Sequence, residues 1–215
     1  QQNHQRANMS DINILISQDQ HSSMGLRERK KQETRWAIFD AAIRLMVVRG
    51  YDKVKIEEIC QEADVSSALF FHHFSTKSSL VDAYLEINVF NVIDAKLKAL
   101  PKASASEKLQ VISQHLDDVH KNNGVFLPSA FSVFGSGDKR LELTNTKSGM
   151  SAVVFNIILA GQKSGEFKSD WSAEAVAISL VATWILIPLS ADNSEFSPRP
   201  SSKILELVLA GLKDK

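Results

Sequence analysis

The feature that most constrains the fold of this chain is a break in helical spacing at residues 63–66. Apolar residues recur at helical intervals over about 56–62, before the break, and again over about 67–73, after it. Ser66 ends the break and is suited to cap the second helix, because its hydroxyl can accept a hydrogen bond from a backbone N–H of the first turn. Two short helices joined by so short a turn are typical of a helix-turn-helix, whose second helix enters the major groove of DNA.

Longer helices are predicted on both sides of this pair. A helix over about 32–49 should end at Gly50, since glycine commonly terminates helices. Asp64 is expected to adopt a left-handed backbone within the turn. Thr76 is expected to cap a fourth helix, which Pro101 ends. The inward face of that helix is predicted to carry Leu80, Ala83, Tyr84, Ile87, Phe90, Asn91, Asp94 and Leu97.

The second half of the chain also has helical periodicity. Helices are predicted over about 106–121, 139–164, 172–186 and 201–212, with a short aromatic segment over 125–134. No segment alternates as a strand does. The predicted fold class is therefore all-α, with about nine helices in total.

The last two of these helices are apolar nearly all round. A helix without a polar face is buried, either in a core or against another chain. Because they come late in a small domain, we predict that both contribute to a homodimer interface. The longest apolar stretch, 175–189, is shorter than the ~20 residues of a membrane-spanning helix and is interrupted by polar residues, so no membrane association is expected.

Charge is unevenly distributed although the totals balance. The chain has 25 basic and 25 acidic residues, but Arg27 to Arg35 contains five basic and two acidic ones. This run is compatible with an arm that follows the DNA and equally with a solvated start of the first helix. Cys60 is the single cysteine, which suits a reducing cytoplasm, and we expect it to pack as a small apolar residue. No charged start leads into an apolar run, so we expect no signal peptide and a cytoplasmic protein.

A series of residues spread from the first to the fourth helix resembles the DNA-binding domain of the TetR family of bacterial transcriptional regulators. The rest of the chain resembles that family only in its pattern of helices. The residues that carry the resemblance are Arg35, Ile38, Ala41, Ala42, Leu45, Gly50, Tyr51, Ile56, Glu58, Ile59, Ala63, Val65, Ser66, Phe71, His73, Phe74, Lys77 and Leu80.

The resemblance implies a homodimeric repressor that binds a palindromic operator in double-stranded DNA and is released by a small-molecule effector. It also implies three regions: a flexible tail (1–25), a helix-turn-helix DNA-binding domain (26–79), and a ligand-binding and dimerisation domain (80–215). An activator is the alternative within gene regulation.

Four positions depart from the family pattern. Lys55 replaces a hydroxyl residue that caps the second helix, and Ser79 replaces a glutamate, which predicts an incomplete capping box. Leu69 and Phe71 replace residues whose hydroxyls reach the DNA, although Leu69 offers an apolar face to a thymine methyl. These changes motivate a rival interpretation, in which the protein keeps the fold as a ligand-binding or scaffolding protein and has lost tight DNA binding.

DNA contacts are expected from the start of the third helix, from the helix termini around it and from the basic run. Lys77 is expected to contact a phosphate at the N-terminus of the fourth helix. Adjacent histidines cannot face the same way on a helix, so one should pack and the other approach the DNA, and a metal site is not expected. The candidate residues are Arg27, Lys30, Lys31, Lys55, Ser66, Ser67, Ala68, Leu69, Phe71, His72, His73, Thr76 and Lys77.

An apolar cavity between helices of the larger domain is the expected ligand site, although ordinary core packing explains the same residues. The candidates are Phe90, Asn91, His115, Phe126, Phe131, Phe134, Met150, Phe155 and Trp184. The sequence has no glycine-rich phosphate loop, nucleophile elbow or metal-ligand motif, so no enzyme activity and no cofactor are expected.

Overall fold

The computed structural model describes residues 25–122, 146–147, 149–186 and 201–213. These ranges contain eight helices and no strand, which confirms the all-α prediction and comes close to the predicted nine. The aromatic segment 125–134 and residues 1–24 of the tail lie outside the described residues. The helices are α1 Leu26–Arg49, α2 Ile56–Glu62, α3 Ser67–His73, α4 (Ser78–Leu85, a π-helical turn Glu86–Phe90, and Asn91–Lys98), α5 Ala105–Asn122, α6 Gly149–Ser164, α7 Ala173–Leu186 and α8 Ser201–Leu212.

Helices α1 to α3 and the start of α4 form the N-terminal head. Ile38 and Met46 of α1 are fully buried, and Gly50 ends the helix with a φ of 85°. α1 begins at Leu26, six residues before the predicted start near residue 32. The periodicity of apolar residues did not predict these first turns, because they consist largely of arginine, lysine and glutamate. These residues favour helix but produce no apolar pattern.

The inward face of α4 differs from the predicted one. Leu80 and Tyr84 are buried as expected, and the predicted Ala83, Ile87, Phe90 and Leu97 are partly buried against the core. The buried residues after Tyr84 are instead Leu85, Val89 and Ile93. Asn91 and Asp94, which were predicted to face inward, are exposed. The π-helical turn Glu86–Phe90 explains this correction, because it adds a residue to one turn and rotates every later side chain about the helix axis.

Two carboxylates each cap the start of a helix that is far away in the sequence. Glu166 accepts hydrogen bonds from the backbone N–H groups of Ala105 and Ser106, both at 2.8 Å, and so caps the start of α5. Asp117 in α5 accepts from the N–H groups of Ser201 and Ser202 and from the Ser202 hydroxyl, and so caps the start of α8. Each cap satisfies backbone donors that have no partner within their own helix.

The segment that places Glu166 is itself held by a close contact. Gly165 has a φ of 79°, and the N–H groups of Glu166 and Phe167 donate to the carbonyl of Gly161. A Cβ atom added at Gly161 would lie 2.3 Å from Phe167 Cδ2. Glycine at 161 therefore lets the Phe167 ring lie directly on α6.

Helices α7 and α8 each bury one side. Leu180 and Trp184 of α7 are buried, and the Trp184 indole N–H donates to the Ser201 carbonyl at 3.1 Å. Leu205 and Leu209 of α8 are also buried, whereas Leu207 on the other side is 62% exposed. Within the described ranges, no helix is both long and apolar enough to span a membrane.

Replacing Glu166 with alanine should destabilise the protein by about 1–2 kcal/mol, as expected for the loss of a helix cap. Chemical unfolding of the full chain, followed by circular dichroism, measures this change. Asp94→Ala is the matched control, because it removes only an exposed ion pair with Lys98 and should cost at most about 0.5 kcal/mol. Equal losses in the two variants would contradict the capping role of Glu166.

Candidate DNA-binding site

The turn between α2 and α3 fixes how α3 is presented. Asp64 has a φ of 53°, and the N–H of Val65 donates to the Cys60 carbonyl at 3.0 Å. The Ser66 hydroxyl accepts from the Leu69 N–H at 3.2 Å and caps α3. The predicted left-handed Asp64 and the predicted Ser66 cap are therefore confirmed. Cys60 is buried, as expected for a small apolar residue.

Helix α3 is anchored on one side and open on the other. Phe70 is fully buried, and the Phe74 ring lies 6.1 Å from it, between ring centroids. The opposite side of the helix consists of small, apolar and imidazole side chains. Its exposed residues are Ser67, Ala68, Leu69, Phe71 and His72.

The basic run Arg27 to Arg35 contacts the C-terminal end of α3 through its last residue. The Arg35 guanidinium donates to the His73 carbonyl at 2.8 Å and stacks 4.4 Å from the centroid of the Phe74 ring. Because Arg27, Lys31 and Arg35 are spaced four residues apart in one helix, they form a stripe along one side of α1. Lys30 is also exposed. The run is therefore an ordered part of α1 and not a separate arm.

The two histidines at the end of α3 have different surroundings. His72 is exposed and His73 is half-buried, with their rings at 80° and 5.2 Å between centroids. Burial lowers the pKa of His73, and the neighbouring His72, Arg35 and Lys31 lower it further. Within the described residues, no three His, Cys, Asp or Glu side chains form a group suited to a metal ion.

Lys77 bridges α4 to the turn after α1. Its ammonium donates to the carbonyls of Tyr51 and Val54, at 2.9 and 3.0 Å, and lies 4.1 Å from the centroid of the Tyr51 ring. Burial lowers the pKa of Lys77, while Asp52 acts in the opposite direction. Lys77 therefore has a structural role within the head, which the sequence did not reveal.

The capping box at the start of α4 is complete, contrary to the prediction. The Ser79 N–H donates to Thr76 Oγ1 at 3.2 Å, and the Thr76 N–H donates to Ser79 Oγ at 3.4 Å. A serine hydroxyl accepts the hydrogen bond that a glutamate would accept, so the box forms without a carboxylate. Thr76 and Ser79 are thereby oriented by each other.

At the start of α2, the Glu58 carboxylate forms its half of a capping box. The Lys55 N–H donates to Glu58 Oε2 at 2.8 Å, and Arg49 binds the other oxygen of Glu58 at 2.8 Å. The hydrogen bond from Arg49 and that from the Lys55 N–H lower the pKa of Glu58. Because Glu58 satisfies this part of the cap, the exposed Lys55 side chain has no capping task.

The candidate ligand residues of the larger domain are dispersed. His115 is buried and donates through Nε2 to the Asn88 carbonyl in the π-helical turn, at 2.7 Å, while Nδ1 lies 3.4 Å from Lys96 Nζ. Phe90, Met150 and Phe155 are partly buried against the core, and Trp184 is fully buried. Phe126, Phe131 and Phe134 lie outside the described residues. The sequence did not indicate that His115 binds α4.

Comparison with known proteins gives these features a context. Residues 38–84 match the model of the family described as bacterial regulatory proteins, tetR family. The transcriptional regulator TcmR of Streptomyces glaucescens is 33% identical over 91 residues, which cover 41% of this chain and only 38% of TcmR. The transcriptional regulator TtgR of Pseudomonas putida is 23% identical over 188 residues, which cover 77% of this chain and 86% of TtgR. These relatives are regulators and not enzymes.

The fold likeness extends over most of the chain. The crystal structure of Thermus thermophilus FadR, a TetR-family transcriptional repressor in complex with lauroyl-CoA, aligns with a TM-score of 0.64 and 20% identity. The alignment covers 82% of this chain and 91% of FadR. The family match lies on the helix-turn-helix that the residues build, and the larger domain has the same fold as solved members. Over residues 38–84 this chain matches the TetR family of bacterial regulatory proteins, and its described residues have the fold of solved members of that family.

Proposed function

We propose that this protein is a ligand-responsive DNA-binding transcriptional regulator, and in the simplest case a repressor. The observation that carries the proposal is the geometry of α3, which is anchored by Phe70 and leaves Ser67, Ala68 and Leu69 exposed at its start. The N-terminal residues of a second helix in this motif contact base edges in the major groove. A regulator that binds bacterial DNA would act in the cytoplasm.

The phosphate contacts are proposed to come from both flanks of α3. On one flank, the stripe formed by Arg27, Lys31 and Arg35 leads away from the C-terminal end of α3, and Lys30 lies on the same helix. On the other flank, Lys55 is exposed at the start of α2. Ser66 and Thr76 present hydroxyls at the helix starts, and His72 and His73 lie at the end of α3. Such contacts set affinity and position without selecting a sequence.

Lys77 is proposed to support DNA binding mainly by stabilising the structure of the head. Two of its three N–H donors bind the Tyr51 and Val54 carbonyls, so at most one is available for a phosphate. Its positive charge still adds to the potential that attracts DNA.

The protein is proposed to bind a palindromic operator as a homodimer, with half-sites about one helical turn apart. The outer sides of α7 and α8 suit the dimer interface. Leu207 is 62% exposed there, and Ala175 and Ala210 are also exposed, so the backbones of two such helices can approach closely.

A small apolar or amphipathic effector is proposed to bind in the larger domain. Phe90, Met150 and Phe155 are the described candidates for its site, because they are only partly buried. The lauroyl-CoA in complex with the Thermus repressor is an example of an amphipathic molecule bound by this fold. The contact between His115 and α4 offers a physical route from such a site to the head, since α4 enters both domains.

Fluorescence anisotropy on the intergenic DNA upstream of the protein's own gene tests the proposal. A scrambled duplex is the control, and both are titrated at two salt concentrations. Tight, sequence-dependent binding that weakens with salt supports a working regulator. Weak and equal binding to both duplexes supports the rival scaffolding or ligand-binding protein, which the substitutions Lys55, Leu69 and Phe71 motivate.

Lys55→Ala should weaken binding to all duplexes and lower the salt slope by about one unit for each half-site, because one phosphate contact is lost. Its stability should be unchanged, since Glu58 caps the Lys55 backbone N–H and not its side chain. Lys102→Ala is the control, as an exposed lysine beyond α4 and outside the head. A salt slope that stays the same in Lys55→Ala would remove Lys55 from the DNA interface.

Leu207→Glu should convert the dimer to a monomer and abolish tight operator binding, because a charge would be buried in an apolar interface. Sedimentation velocity measures the oligomeric state of the full chain. Lys102→Glu, at an exposed position in the turn after α4 and away from α7 and α8, is the control for added negative charge. A Leu207→Glu protein that stays dimeric would place the interface elsewhere.

His115 should make stability depend on pH. Burial lowers the pKa of His115 most, the Asn88 hydrogen bond opposes that shift, and Lys96 lowers the pKa further. The pKa of His115 is therefore lower in the folded state than the value of about 6.5 expected in the unfolded state. The stability that comes from keeping the ring neutral is fully present above the unfolded pKa and is lost as pH falls through the folded pKa. His115→Gln keeps a donor for Asn88 and does not titrate.

The thermal midpoint of the unaltered protein should consequently fall more between pH 7.5 and 5.5 than that of His115→Gln. The variant should retain part of the dependence, because burial also lowers the pKa of His120. Identical pH profiles would show that protonation of His115 is not coupled to folding.

A further inference from the structure

Helix α3 lacks the side chains that most often identify a base by hydrogen bonding. Arginine or lysine recognises guanine, and asparagine or glutamine recognises adenine, each through two parallel hydrogen bonds. None of these four residue types occurs in Ser67–His73, and neither carboxylate residue does. The exposed surface of this helix is instead largely apolar.

Ala68 and Leu69 form an apolar edge at the start of α3, and Phe71 is a third exposed apolar residue on another side of the helix. Ala68 is exposed, and Leu69 is 38% exposed while its backbone N–H is fixed by the Ser66 hydroxyl. Phe71 is 51% exposed and packs edge-to-face on the buried Phe70, with ring centroids 5.3 Å apart. Both Leu69 and Phe71 thus project from an anchored helix and do not need to rearrange to meet a partner.

The basic residues near α3 favour DNA as the partner of this apolar edge. Arg35 binds the end of α3, Lys31 is near enough to lower the pKa of His73, and Lys55 is exposed at the start of α2. Basic side chains thus lie at the C-terminal end of α3 and at the start of α2, while the exposed Glu62 and Asp64 precede α3. Basic residues on two sides of a helix suit a groove bordered by two rows of phosphates. In the major groove of DNA, the apolar group that a side chain can reach is the C5-methyl of thymine.

We propose that this head selects its operator mainly through thymine methyl groups, which Ala68 and Leu69 contact in each half-site. The inference rests on the proposed DNA-binding function and adds the chemistry by which the sequence is selected. Its consequence is an operator whose half-sites have thymine opposite the start of α3. Removing one methyl from that contact should weaken binding about fourfold per half-site and roughly 15-fold for both, from the value of a buried CH₂ group.

The experiment begins with selection of duplexes from a random library by the full-length dimer. In the selected duplex, each thymine is then replaced by deoxyuridine, which removes the methyl and keeps base pairing. The unaltered protein should lose affinity at one or two thymines per half-site and be indifferent to the others. Leu69→Ala should bind the thymine duplex more weakly and lose its sensitivity to uracil at one of those positions.

Leu100→Ala is the matched control, because Leu100 is 40% exposed in the turn after α4 and lies outside the head. It should behave as the unaltered protein on every duplex. Circular dichroism and the thermal midpoint establish that Leu69→Ala is folded, as expected for an exposed position.

The other results overturn the inference in distinguishable ways. If no duplex is enriched, the proposed DNA-binding function fails and the inference fails with it. If duplexes are enriched but uracil is tolerated at every position, DNA binding stands and selection by methyl groups is wrong. If Leu69→Ala binds the selected duplex as tightly as the unaltered protein, the apolar edge does not contact DNA and is assigned to a protein partner.

Discussion

The buried face of α4 is the constraint on which the rest of the molecule depends, because it packs against both α1 and α5. The first part of α4 contacts α1 in the head, and the π-helical turn and last part contact α5 in the larger domain. Leu80 and Ile93, near its two ends, are both buried in one continuous core. The head therefore cannot tilt or rotate against the larger domain without disturbing side chains that are buried in it.

The π-helical turn lies where the two domains meet along α4. A π-helical turn is less regular than α-helix, and it persists where surrounding contacts favour it. Here the His115 ring donates to the Asn88 carbonyl within that turn, and α5 is in turn fixed at its start by Glu166. If a ligand displaced α5, as proposed, it would disturb this hydrogen bond and so act on α4.

Sequence reasoning succeeded where a local pattern determines a local structure. The turn at Asp64, the Ser66 cap and the end of α1 at Gly50 all depend on neighbouring residues, and each was predicted. The inward face of α4 was predicted only in part beyond Tyr84, because the π-helical turn brings Val89 and Ile93 into the core and leaves Asn91 and Asp94 exposed. Lys77 could not be interpreted either, since its partners Tyr51 and Val54 lie more than twenty residues away in the chain. The larger domain was predicted as helices only, as its two carboxylate caps join residues that are far apart in the sequence.

In the proposed complex with DNA, charged residues would provide the affinity and apolar residues the preference for a sequence. With 25 basic and 25 acidic residues in the whole chain, the proposed attraction to DNA would come from local clusters such as the stripe on α1. Phosphate contacts of this kind weaken as salt rises, whereas contacts between apolar groups do not depend on released counterions. If Leu69 meets thymine methyls as proposed, salt would lower the affinity for all duplexes alike and leave the preference among sequences nearly constant. A head that selected by charged side chains on base edges would instead lose part of its selectivity together with its affinity.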